Sequence, residues 1–98
     1  MVSMQRTKRK LEMVPLYDAL RTLKTRDEMA AFLRDLCTRA ELEAFAERFA
    51  IARALSKNES YRGVADETGA SITTVSRVAH WLNHGQGGYR TALSRLKK

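Results

Sequence analysis

A chain of 98 residues, 44% hydrophobic and carrying a net charge of +7, suits one folded domain and is too apolar for wholesale disorder. Its single cysteine, Cys37, excludes an intramolecular disulfide and a zinc site begun by a cysteine pair. No apolar run is long enough to span a bilayer, and the basic N-terminus lacks an apolar signal region, so the expected location is the bacterial cytoplasm and no membrane partner is expected.

The charge is unevenly placed. Residues 1–10 hold four basic side chains and no acid, residues 11–58 hold eight of each sign, and residues 59–98 hold six basic against three acidic. After Glu67 there is no Asp or Glu at all. A C-terminal third of one sign is the electrostatic footprint of a phosphate-facing surface.

In chain order, residues 1–14 read as a basic N-terminal arm, either a solvated tail or a contact to DNA, and residues 15–98 read as one helical domain. Pro15 suits a first helical position, and Leu16, Leu20 and Leu23 give a stripe, which predicts a helix from about Pro15 to Lys24. Thr25 with Glu28 fits a capping box, and Met29, Phe32, Leu33 and Leu36 continue as a second helix. Thr38 with Glu41 is another box and opens the longest helix, to about Ser56. That helix carries one stripe of Leu42, Phe45, Phe49 and Ala52 and another of Ala44, Ile51 and Leu55. A helix apolar on two sides needs cover on two sides, which points to a homodimer, the alternative being a monomer whose three later helices supply the cover.

The most specific signal lies in residues 60–83. Helices are expected over Tyr61–Thr68 and Ile72–Asn83, with Gly69 at the turn and Ser71 as the cap of the second helix. Ile72, Val75, Val78 and Ala79 form the stripe expected to be buried, leaving Thr73, Thr74, Ser76 and Arg77 outward. This is the layout of a DNA-reading helix-turn-helix. Thr73, Thr74, Ser76 and Ser71, with apolar Ile72, are the candidates for the base-reading end. Tyr61, Arg62 and Arg77 are the candidates for phosphate contact.

Gly85-Gln86-Gly87-Gly88 reads as a flexible breaker, and a last helix is expected over Tyr89–Leu96. His80 and His84 stand four apart and would share a face only if their helix reached that far. With no Glu or Cys beside them they are read as surface residues, and no metal is assigned. No grouping of nucleophile, base and acid suggests an enzyme. The expected fold class is all-α.

The long helix opened by Thr38, with Leu42, Phe45, Arg48 and Ile51, followed by a helix-turn-helix containing Ser76-Arg77, resembles the Trp repressor superfamily. The Gly87-Gly88-Tyr89 loop and the short N-terminal region look most like its YerC/YecD branch. The resemblance covers about residues 15–97. It implies a six-helix intertwined dimer and a sequence-specific repressor acting on double-stranded DNA. It also implies an effector pocket at Thr38, Arg48 and Arg77. In that family a glycine follows the second arginine and leaves a slot for an indole ring; here the residue is Val78, and Asp35 and Cys37 stand where leucines are found. A β-branched side chain at the slot should obstruct it, so L-tryptophan is not the expected effector. Any effector is unknown, Arg48 could instead pair with Glu41, Glu47 or phosphates, and no resident cofactor is expected. The alternative reading is a helix-turn-helix module that binds nucleic acid without sequence preference or binds another protein.

Overall fold

In the computed structural model, residues 11–97 are described, and among them the regular structure is entirely helical. The basic arm expected at the N-terminus lies largely outside the described residues. The helices are α1 (Val14–Thr22), α2 (Arg26–Leu36), α3 (Arg39–Leu55), α4 (Tyr61–Thr68), α5 (Ile72–His84) and α6 (Gly88–Leu96). None is long and apolar enough to cross a membrane. The chain forms two compact units, one ending at Cys37 and one beginning at Thr38.

The first unit holds α1 and α2. Pro15 sits in the first turn of α1, where the missing N–H costs nothing, and the helix stops at Thr22, two residues short of the expected end. Thr25 caps α2 by accepting from the Glu28 amide at 3.0 Å. The Glu28 carboxylate accepts from the Lys24 amide at 2.8 Å rather than from Thr25, so the expected reciprocal box is shifted by one residue. Neither helix buries a single residue, and Leu11, Met13, Val14, Tyr17 and Leu36 stand exposed.

The second unit is built on α3, which packs against α4, α5 and α6. Its N-terminus is a complete capping box: Thr38 Oγ1 accepts from the Glu41 amide at 3.1 Å, and the Thr38 amide donates to Glu41 Oε1 at 2.8 Å. The core consists of Ile51, Ala52 and Ala54 from α3, Val64 from α4, and Val75 and Val78 from α5. Half-buried Leu55, Ala65, Ala70, Tyr89 and Leu93 pack around it. Only the C-terminal half of α3 is therefore covered. Phe45 remains 46% exposed, so the two-sided stripe inferred from the sequence is buried along half its length.

The α4–α5 turn closes as its residue types require. Ser60 caps α4 through the Gly63 amide at 3.0 Å. Gly69 ends α4 with φ 79°, a left-handed conformation that costs other L-residues about 1–2 kcal/mol. Ser71 then caps α5 by accepting from the Thr74 amide at 3.1 Å. The expected buried stripe needs one correction. Ile72 is 48% exposed, and the stripe runs through Val75, Val78, Ala79 and Leu82 instead. Ile72 is the first residue of α5, and burial along the helix begins only at Val75. The Gly85–Gly88 segment does break the helix, over a shorter span than expected: α5 continues through His84, Gly87 takes a left-handed φ of 87°, and Gly88 already belongs to α6. Gly85 is needed because a Cβ there would collide with the Trp81 carbonyl.

Glu59, just before α4, has its carboxyl pKa raised by a hydrogen bond with Glu67 at the other end of that helix, by partial desolvation and by the Glu67 charge, with Lys57 opposing. A carboxyl raised in the folded state stabilises the protonated fold. That contribution is complete below its unfolded value near 4.5 and is lost as pH rises through the folded value. Glu59→Gln should therefore raise the urea midpoint at neutral pH, with the gain shrinking as pH falls and vanishing near about pH 4. An increment that does not change with pH would show that the carboxyl pair does not bear on stability.

Candidate nucleic-acid interface

Residues 60–83 form the expected helix-turn-helix, two helices meeting at Gly69 with Val64 of α4 and Val75 of α5 fully buried between them and α3. The backbone of the turn is held by side chains. Thr68 Oγ1 donates to the Val64 carbonyl at 2.7 Å and accepts from the Ala70 amide at 3.3 Å. The entry to α5 is fixed by the protein's own side chains, because Ser71 satisfies an otherwise orphaned amide at the helix start.

At about 3.6 residues per turn, Thr73, Ser76, Arg77, His80 and His84 fall on one stripe of α5, diametrically opposite Val75, Val78, Ala79 and Leu82. All five are exposed. Tyr61 and Arg62, in the first turn of α4, are exposed too. Two of the candidate reading residues are differently engaged. Thr74 is half-buried, and its Oγ1 accepts from Ser71 Oγ at 3.1 Å, so both hydroxyls already take part in the cap. Thr73 and Ser76 are the freer pair. Exposed Ile72 stands at the leading end of α5, where an apolar group can meet a thymine methyl.

On one flank of α5 lies a cleft of about 690 Å³ between α3, α5 and α6. Arg48, Arg77 and Val78, three of the four residues expected in an effector pocket, line it. Thr38 is not among the lining residues; its side chain is committed to the cap of α3. The Arg48 guanidinium lies 5.3 Å from the centroid of the Phe45 ring, one turn earlier on the same helix. This is a cation–π placement rather than a pairing with Glu41 or Glu47, and the one ion pair among the described residues is Arg21–Asp18 at 4.0 Å. Val78 is 3% exposed, so its side chain is spent on the core at the cleft floor.

Sequence reasoning missed the aromatic wall of this cleft. Phe45, Trp81 and Tyr89 line it, and Trp81 is 59% exposed. The signal was present as spacing, since Phe45 stands three before Arg48 and Trp81 four after Arg77, each one turn away on its own helix. Among the described residues no three His, Cys, Asp or Glu side chains gather in a way that could hold a metal.

A long capped helix supporting a rigid helix-turn-helix, with an arginine-and-aromatic cleft alongside, defines an all-helical reading module. The sequence model of the Trp repressor protein family matches residues 10–97, and the chain belongs to that family, one of DNA-binding regulators rather than enzymes. It is 39% identical over 87 residues to the uncharacterized protein YerC of Bacillus subtilis (strain 168), covering 89% of this chain and 84% of that protein. Among solved structures it is similar to a TrpR-like protein from Eubacterium eligens ATCC 27750, with a TM-score of 0.79, 39% identity and 84% of each chain covered. It is also similar to a candidate Trp repressor from Staphylococcus aureus, with a TM-score of 0.82, 31% identity, and coverage of 98% of this chain and 95% of that one.

Proposed function

We propose that the protein is a homodimeric, sequence-specific transcriptional repressor of the bacterial cytoplasm. The observation that carries this reading is the exposed stripe of α5. Small hydroxyl side chains and an arginine project from a rigidly capped helix, within a segment that has no acid after Glu67. Thr73 and Ser76 read base edges with Ile72, while Ser71 and Thr74 hold the helix start that faces the groove. Tyr61, Arg62 and Arg77 fix the head on phosphates. In this reading the protein is not an enzyme.

Assembly follows from what one chain leaves uncovered. No residue of α1 or α2 is buried, and Leu11 and Val14 are 86% and 62% exposed. Apolar surface on this scale in a chain of this size is relieved by association. A two-fold dimer also gives two heads that meet half-sites in successive major grooves, roughly 34–36 Å apart.

The cleft beside α5 supplies an effector site. Arg48 and Arg77 offer guanidinium groups to a carboxylate, and Phe45, Trp81 and Tyr89 offer faces to a planar group. Val78 at its floor argues against L-tryptophan as that effector.

Three outcomes are expected. Sedimentation equilibrium should give twice the 11.1 kDa chain mass; a monomer at micromolar concentration would remove the two-headed reading. Against DNA selected from a random pool, Thr73→Ala should cost about 1–3 kcal/mol on the selected sequence and little on random DNA. Arg62→Ala should weaken both alike. Equal loss in both variants, or a steep salt dependence with no enriched sequence, would favour non-specific nucleic-acid binding. Because Trp81 is the only tryptophan and lines the cleft, an aromatic carboxylate that binds there should change its fluorescence, and Arg48→Ala should abolish the response. A response that survives Arg48→Ala would place the ligand elsewhere.

A further inference from the structure

We propose that His80 and His84 chelate one divalent transition-metal ion on the reading face of α5. The sequence leaves this pair as surface residues; two structural facts change that. α5 continues through His84, so the two imidazoles stand one turn apart on a regular helix. Their ring centroids are 5.3 Å apart, and both side chains are exposed.

The distance suits a shared ion. A metal about 2.05 Å from a ring nitrogen lies about 3.2 Å from that ring's centroid. With centroids 5.3 Å apart and one nitrogen of each ring turned onto a common ion, the two ring-to-ion lines would meet at about 112°, close to the tetrahedral angle that zinc adopts. Two imidazoles at this spacing on one helix face are half of a recurrent zinc-binding arrangement. Among the described residues no third His, Cys, Asp or Glu joins them, so water or an incoming anion fills the remaining positions. Neutral imidazole without carboxylate favours copper(II), nickel(II) or zinc(II) over magnesium or calcium.

The position has consequences. A dication in the last turn of α5 opposes the partial negative charge of the helix C-terminus and links two successive turns beside the Gly85 connection. It also lies on the same stripe as Thr73 and Arg77, and His80 is about 4.5 Å further along the axis than Arg77. That is within the screening length of about 8 Å at physiological salt, so the ion adds to the charge that meets phosphates. This last consequence rests on the DNA-binding reading; the chelate itself does not.

Trp81 provides the readout, since its ring centroid is 4.9 Å from that of His80. Copper(II) or nickel(II) added to the tag-free, full-length protein should quench Trp81 fluorescence saturably. His80→Asn and His84→Asn should each weaken the apparent affinity at least about tenfold, as expected on losing one of two ligands. Cys37→Ala should leave the quenching unchanged and so separate the site from the free thiol. No saturable quenching, or quenching that persists in both histidine variants, overturns the chelate. In a parallel binding assay nickel(II) should tighten DNA binding by the wild type and not by the double histidine variant. Unchanged DNA affinity with intact quenching overturns only the added grip on phosphates. Intact quenching with no DNA binding under any condition would count against the DNA-binding reading and leave the chelate standing.

Discussion

The three largest side chains that lose all contact with solvent, Ile51, Val64 and Val75, come one each from α3, α4 and α5. Each contributes about 1.5–3 kcal/mol of burial, in a unit whose remaining core residues are mostly alanines and one further valine. The angle at which α5 leaves the molecule is set where these three meet. Small residues are required around them, because Ala52, Ala54 and Ala65 let the helix backbones approach closely enough for short valines to bridge the gap. A long side chain at any of these positions would tilt the reading helix before it altered any surface group.

The outer face inherits its order from that contact. Val75, Val78, Ala79 and Leu82 point to the core, so Thr73, Ser76, Arg77, His80 and His84 must point away, with no choice of rotamer able to reverse it. The turn adds a second constraint. Gly69 in a left-handed conformation and Ser71 at the cap fix where α5 begins, which places Thr73 in its first turn. Capping has a chemical cost at the same place. The Ser71 and Thr74 hydroxyls are engaged with each other, so the helix start gains rigidity from groups that would otherwise be free for a ligand.

What could be read from the sequence was what is local. Thr38 with Glu41, Gly69 and Ser71 act over three or four residues, and each does in the structure what its residue type and spacing imply. Two of the misreadings needed to know where a neighbouring helix ends, whereas the Thr25–Glu28 box was misplaced by one residue within its own turn. Periodicity put Ile72 in the buried stripe, but burial along α5 begins only at Val75. Periodicity also gave α3 two apolar sides, without showing that α4, α5 and α6 cover only its C-terminal half. The Gly85–Gly88 run does separate α5 from α6, but glycine's permissiveness accounts for Gly87, at φ 87°, whereas Gly85 is there for lack of room beside the Trp81 carbonyl. The cleft residues come from three helices, and no local pattern brings Phe45, Trp81 and Tyr89 together.

Val78 joins the core to the cleft, and its two roles limit each other. Its side chain is buried with Ile51 and Val75, so it cannot be withdrawn to make room for a ring without opening a cavity among the few residues that orient α5. A glycine there would open space for a ligand but would also weaken the helix interior by about 1 kcal/mol and remove a core contact. A chain that keeps valine has its reading helix braced from within, and any ligand of the cleft must act from the side, between Arg48 on α3 and Arg77 with Trp81 on α5. Such a ligand would bias the angle between two helices already in contact rather than complete an unfinished head.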